Sequence, residues 1–293
     1  MENAEIGLTY ELSPSERKEV RDRYPEVSFP DPTLEPVWFG RRDHRRIPEK
    51  RAIVDQAFEG NYPMVFGICS DQYKLVHYED IVAMVEHTAS NITGFGEIKV
   101  CPHTYADGGR MKITLKFPDM KSEIKKMDVI VPKIDVFTSY DLSTKLTGKF
   151  GAFQLKCTNG MGVWKTFKKF AKRHLQNLRL NELEENINQG LAIFGDQINT
   201  WKSWTEKRIT KDFYEEIWEA LPFSDAERSK IETLPEIGSE RKLLEVLPAN
   251  TLDLWMLNSV LTQFATHEVK SELRRIELET SIAKAMESIS IKI

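Results

Sequence analysis

Only three cysteines occur in the 293 residues, Cys69, Cys101 and Cys157, and they stand far apart. No CxxC and no Cys/His pair has the spacing of zinc ligands, so neither a zinc site nor a disulfide framework organises this chain. Isolated thiols of this kind read as reduced, buried, small hydrophobes. The six histidines (His44, His77, His87, His103, His174 and His267) form no HxxxH or HxH pair, and metal ligation is not expected. Neither GxGxxG nor GxxxxGK[ST] is present, which removes both standard phosphate cradles, and there is no GxSxG nucleophile elbow. No apolar run approaches the ~20 residues that span a bilayer. The N-terminal MENAEIGLTYELSPSE lacks the basic and apolar regions of a signal peptide. These absences predict a cytoplasmic protein off the membrane, non-catalytic, without metal or other cofactor.

What is there belongs to a globular protein. Hydrophobic residues make up 41% and charged residues 29%, and the length suffices for one large domain or two ordinary ones. The net charge of −4 hides an asymmetry. Residues 1–36 hold four basic and nine acidic groups, residues 37–179 hold 24 and 15, and residues 180–293 hold 13 and 21. The balances are therefore −5, +9 and −8. A positive middle between negative ends can steer a polyanion to one surface while the whole stays soluble.

Three regions follow from this reading. Residues 1–50 form an N-terminal arm, with a helix started by Ser13-Pro14-Ser15-Glu16. PEVSFPDPTLEP then carries four of the 13 prolines, which forbids a regular helix and favours an extended linker. The arm ends in WFGRRDHRRIPEKR, where Arg41, Arg42, Arg45 and Arg46 stand beside Trp38 and Phe39. Cations next to aromatics suit phosphates plus base stacking. The alternative is a solvated loop with Trp38 tucked into the core.

Residues 51–179 read as a sheet-rich α+β unit. The expected order is a short helix at Arg51–Phe58, strands at Met64–Cys69 and Lys74–His77, and a helix opened by Tyr78 with Ile81, Val82, Val85 and Thr88 near one face. Tyr105-Ala106-Asp107-Gly108-Gly109-Arg110 is a hairpin turn, because Asp-Gly-Gly readily supplies positive φ. Met111–Phe117 alternates as a strand, and β segments follow at Asp128–Pro132, Ile134–Thr138 and Phe150–Cys157. A polar turn lies at Ser139–Ser143 and another at Asn159-Gly160. The helix from Trp164 puts Trp164, Phe167, Ala171, Leu175 and Leu178 on one face. Lys165, Lys168, Lys169, Lys172 and Arg173 occupy the rest, the geometry of a phosphate-tracking helix. Residues 180–293 are helical and acidic and are expected to pack on the same core.

If their strands were neighbours, the Ser139–Ser143 and Cys157–Gly160 turns would bring Asp141, Lys145 and Asn159 together to bind a phosphate or a base edge. Otherwise their polar groups serve their own backbone.

The pieces Ser139-Tyr140-Asp141-Leu142-Ser143, Gly151-Ala152-Phe153-Gln154-Leu155, Cys157-Thr158-Asn159-Gly160 and Arg173-His174 occur in an order that resembles the phage/plasmid-like family of unknown function. Asp71-Gln72-Tyr73-Lys74-Leu75-Val76 is similar to that family's early strand. The resemblance covers about residues 60–280, with Leu142 where the family usually has glycine. It implies a protein of phages, prophages or plasmids and brings no activity, cofactor or catalytic residue with it.

The expected fold is α+β, an antiparallel or mixed sheet core with packed helices, followed by a mainly helical C-terminal region. The leading function is DNA binding with a preference for single strands, assisting recombination or replication, with strand annealing as an oligomer in view. The alternative is contact with a host protein through the acidic helices. The residues expected to meet DNA are Arg41, Arg42, Arg45, Arg46, Lys165, Lys168, Lys169, Lys172 and Arg173, with Trp38 or Phe39 stacking.

Overall fold

The computed structural model describes residues 11–40, 44–56, 63–126, 128–154, 159–162, 180–235, 241–247 and 251–293, with backbone alone at 150, 153–154, 159–162 and 180–188. Its first helix, α1 (Pro14–Arg23), starts where the sequence places it. The Ser13 hydroxyl accepts from the Glu16 N–H at 3.3 Å and the Glu16 carboxylate accepts from the Ser13 N–H at 2.7 Å, a reciprocal capping box. Those donors from Ser13 hold the Glu16 carboxyl below its usual range.

β1 (Pro32–Phe39), β2 (Arg45–Asp55) and β3 (Met64–Ser70) form an antiparallel sheet in that order. The helix expected at Arg51–Phe58 is therefore a strand at least as far as Asp55. Ile53 pairs with Leu34 on one side and Gly67 on the other and is fully buried. Two ladders and a buried β-branched side chain outweigh a local helical tendency. Lys74–His77 forms no strand; it leads from β3 into α2 (Tyr78–Asn91).

α2 buries Ile81, Val82, Met84 and Val85, each worth about 1.5–3 kcal/mol on burial. Its acidic side is buried as well. Asp80, 3% exposed, accepts from both Nε and a terminal nitrogen of Arg17 at 2.9 and 3.1 Å. Fully buried Glu79 meets Arg21 at 2.5 Å, and Glu86 takes hydrogen bonds from Arg23 at 2.6 Å and the Tyr24 hydroxyl at 2.8 Å. α1 is thus tied to α2 by three arginines.

The larger sheet contains β4 (Lys99–Tyr105), β5 (Arg110–Lys116), β7 (Asp128–Ser139), β8 (Thr147–Gln154) and β9 (Asn159–Gly162) in that spatial order, with β6 (Ser122–Lys125) also on β7. Every pairing is antiparallel. The turn between β4 and β5 forms as expected, with Ala106, Asp107 and Gly108 at φ of 53°, 52° and 81°. The two segments expected at Asp128–Pro132 and Ile134–Thr138 are one strand, running through Pro132, whose carbonyl accepts from the Phe117 N–H at 3.2 Å. Asn159-Gly160 is not a turn but the start of β9, opposite Gln154 and Phe153.

The remaining helices are α3 (Leu180–Trp204), α4 (Lys211–Ala220), α5 (Asp225–Thr233), α6 (Leu243–Val246), α7 (Leu254–His267) and α8 (Glu272–Lys292). Thr210, Ser224, Asp253 and Ser271 cap α4, α5, α7 and α8. The expected α+β class, sheet core first and helices after, is what the chain adopts. Trp255 of α7 joins helices to sheet: its ring lies 6.0 Å from Trp201 of α3, and its Nε1–H donates to Asp128 of β7 at 2.6 Å. In α8, Ile282 and Met286 are buried while Leu273 is exposed.

The two faces of the larger sheet differ in kind. Met111, Ile113 and Leu115 of β5 are fully buried on one face, the side on which α2 packs. The alternate residues Lys112, Thr114 and Lys116 share the other face with Lys133 and Asp135 of β7 and Lys149 of β8. α8 crosses this second face diagonally. Glu272 pairs with Lys112, Glu279 lies 4.0 Å from Lys133, and the Thr280 hydroxyl is 3.4 Å from Lys149.

Candidate nucleic-acid interface

The basic cluster of the arm becomes the far end of the β1–β2 hairpin. Trp38 stands opposite Arg46 and Phe39 opposite Arg45, so two aromatic–arginine pairs form successive rungs. Directly opposed residues share a face and lie close enough to act together. Trp38 is 57% exposed and Phe39 72%, which sets aside a place for Trp38 in the core.

Two features push this end away from the body. Every residue from Arg45 to Lys50 is exposed. Because successive side chains of a strand point to opposite faces, consecutive exposure means that both faces are solvated. The register also breaks between Pro36 and Trp38: Pro36 is opposite Arg51, and Trp38 is opposite Arg46. Ile47, Pro48, Glu49 and Lys50 thus bulge against the single residue Val37. Pro48 has no N–H to give a ladder, and bulges twist a ribbon away from its sheet. Among the described residues no carboxylate pairs with Arg45, Arg46 or Lys50. The arrangement offers cations and ring faces on a ribbon that can enter a groove or lie along a strand.

Of the other residues expected to contact DNA, Arg41 and Arg42 lie outside the described residues. So do Lys165, Lys168, Lys169, Lys172 and Arg173, where the sequence predicts a basic helix.

The polar turns do not converge. Ser139 ends β7, whereas Asn159 is opposite Gln154, which is opposite Ile130 near the start of β7. Nine residues of strand, roughly 30 Å at ~3.3 Å per residue, separate the two sites. Within Ser139–Ser143 the polar atoms serve the loop itself. The Ser139 hydroxyl donates to the Thr144 carbonyl at 3.1 Å and accepts from the Thr144 N–H at 3.0 Å. Asp141 accepts from the Ser143 N–H at 2.9 Å and from Arg110 Nε at 2.5 Å. Burial opposes its ionised form, but the donors from Ser143 and Arg110 outweigh burial and hold the carboxyl low.

Tyr140 locks this turn to α2. Its ring stacks on Tyr78 at 3.9 Å, and its hydroxyl oxygen accepts from the Tyr78 N–H at 2.8 Å. Leu142 has φ of 62°, the left-handed region that glycine adopts without strain. Here the Leu142 side chain lies over Gly67 of β3, 3.4 Å from where a Cβ would stand.

The charged layer under α8 went unread in the sequence, although MKITLKF shows its lysines at alternate positions. The Thr114 hydroxyl donates to Asp135 at 2.6 Å, and Lys133 Nζ is 3.0 Å from the other oxygen of that carboxylate. Burial would lower the Lys133 amine, but Asp135 and Glu279 push it up to about 12. Burial raises the Glu279 carboxyl against the pull of Lys133. Acids and bases alternate here in ion pairs. No group of three or more potential metal ligands exists among the described residues. No described helix is long and apolar enough to cross a membrane.

An α+β core with this turn, this sheet and these trailing helices defines a family domain. Domain of unknown function (DUF932) matches residues 65–287, and the chain belongs to that family, which occurs in phage- and plasmid-associated proteins. The match begins within β3, so α1, β1 and β2 precede it. No curated protein and no solved structure matches the chain.

Proposed function

We propose that this is a non-catalytic DNA-binding protein of a phage or plasmid. It favours single strands and assists recombination or replication in the host cytoplasm, with annealing by an oligomer as the mode of action. The observation that carries this reading is the projecting ribbon with Trp38 opposite Arg46 and Phe39 opposite Arg45. Stacking on exposed rings contributes about 1–3 kcal/mol per base and is insensitive to sequence, while arginine reads phosphate. Arg41, Arg42, Lys165, Lys168, Lys169, Lys172 and Arg173 would add further phosphate contacts.

The test is fluorescence anisotropy of labelled single- and double-stranded oligonucleotides at low and moderate salt. Single strands should bind more tightly, and Trp38→Ala/Phe39→Ala should weaken them at least about tenfold. Arg45→Glu/Arg46→Glu should weaken binding further and flatten its salt dependence. Absence of binding by the unaltered protein at low salt would overturn the reading.

A further inference from the structure

We propose that the outer face of β4, the strip of the larger sheet that the described helices leave uncovered, is a second binding site for a short run of single-stranded polynucleotide, with His103 and Tyr105 as its base platform. This rests on the DNA-binding reading and adds a contact separate from the hairpin.

Among the described residues, the strip is open because of where α8 lies. Glu272, in its first turn, already stands over Lys112 of β5, and the helix then runs across β7 to β8. β4 lies beyond it, outermost among the described strands of the sheet. Val100, Pro102 and Thr104 occupy the inner side of β4, while Lys99 and His103 are exposed on the outer side and Tyr105 is half-buried there. The His103 and Tyr105 rings are 6.3 Å apart, with only 11° between their planes. A flat group stacked on either ring is thus nearly parallel to the other.

Cations stand on the same face as the rings. His103 is opposite Lys112, Tyr105 opposite Arg110, and Lys99 opposite Lys116. Burial pushes the Tyr105 phenol up to about 12, so the ring stays neutral. Aromatic rings on an open antiparallel sheet can be reached only by bases that are free of a duplex. That selects a single strand.

Carboxylates stand near these cations: Arg110 has Asp141 at 2.5 Å, Lys112 has Glu272, and Lys99 has Glu97 at 3.7 Å. A phosphate arriving here meets charges that are already partly balanced. Stacking, not counterion release, then dominates, and the salt dependence should be shallower than at the hairpin.

The experiment uses the full chain and fluorescein-labelled oligothymidine of about six and about thirty nucleotides, within and beyond the ~4–16 nucleotides of one stacking site. His103→Ala/Tyr105→Ala should weaken both oligonucleotides at least about tenfold at low and moderate salt. His103→Phe/Tyr105→Phe keeps the rings and should restore binding, and duplex binding should not change. Alanine variants that bind like the unaltered protein would overturn the site, as would phenylalanine variants no better than alanine. Loss in Trp38→Ala/Phe39→Ala alone leaves the hairpin standing and the platform refuted; loss in the His103/Tyr105 pair alone does the reverse. Should the alanine pair fail to fold, photocrosslinking of the unaltered protein to 5-iododeoxyuridine strands decides. Crosslinks on β4–β5 support the site, and their absence there overturns it.

Discussion

The arginines of α1 and those of β2 both precede the region matched to the family, and they are used in opposite ways. Arg17 and Arg21 reach carboxylates that are almost wholly buried, Asp80 and Glu79. Arg45 and Arg46 stand in solvent opposite exposed rings. In the sequence both sets are basic residues in a charged stretch. The structure separates them by what lies across from each: a buried acid makes an arginine part of the scaffold, and an exposed ring leaves it available to a ligand.

The comparison breaks most visibly at Arg17. Removing one partner of a buried ion pair leaves the other charge uncompensated, at a cost of about 3–5 kcal/mol. Arg17→Ala should lose roughly that much stability in urea unfolding, because Asp80 keeps the Leu12 N–H at 3.2 Å but loses both arginine hydrogen bonds. Adding Asp80→Asn should recover part of the loss. A loss within about 0.5 kcal/mol, the range of an ordinary surface substitution, would place Arg17 with the hairpin arginines instead.

A smaller effect sharpens the comparison at Glu279, where the acid and not the base is the strained partner. Its side chain is 17% exposed, and burial raises its carboxyl above the usual range despite Lys133. A carboxyl whose pKa is higher in the folded than in the unfolded state favours folding in its protonated form. That contribution is present at acid pH and is lost as pH rises through the folded value. Glu279→Gln should therefore match the unaltered protein in acid and exceed it in thermal stability at mildly alkaline pH. A variant that becomes less stable than the unaltered protein only as pH rises out of the acid range would show that the ionised Glu279 is needed to hold Lys133.

Local signals were legible and pairing was not. The helix start at Ser13, the positive-φ turn at Ala106–Gly108 and the alternation of β5 all involve residues close in sequence, and all appear where expected. Arg51–Phe58 misled because RAIVDQAF suits either a helix or a strand. The choice fell to partners at Leu34 and Gly67, invisible in the segment itself. The Ser139–Ser143 and Asn159-Gly160 segments looked like one site for the same reason. Only the registers of β7, β8 and β9 put them at opposite ends of the sheet. The hairpin lies between these cases. Its aromatics and arginines were readable as a cluster, but its projection depends on the break in register at Val37.

The smallest expected effect is the sharpest. If Arg45 and Arg46 serve a ligand and not the fold, Arg45→Ala/Arg46→Ala should leave stability within about 0.5 kcal/mol of the unaltered protein, as for surface positions without a structural partner. Binding to single-stranded DNA should fall in the same variant, since each lost phosphate contact weakens all sequences alike and lowers the salt slope by about one. The two measurements have to be made together. A drop in stability as large as that of Arg17→Ala would mean that the ribbon end is packed in solution, on a second copy or on residues beside it, and the contrast between the two sets of arginines would be lost. Unchanged stability with weakened binding would assign the hairpin cations to a polyanion and leave α1 as the strap that holds α2 in place.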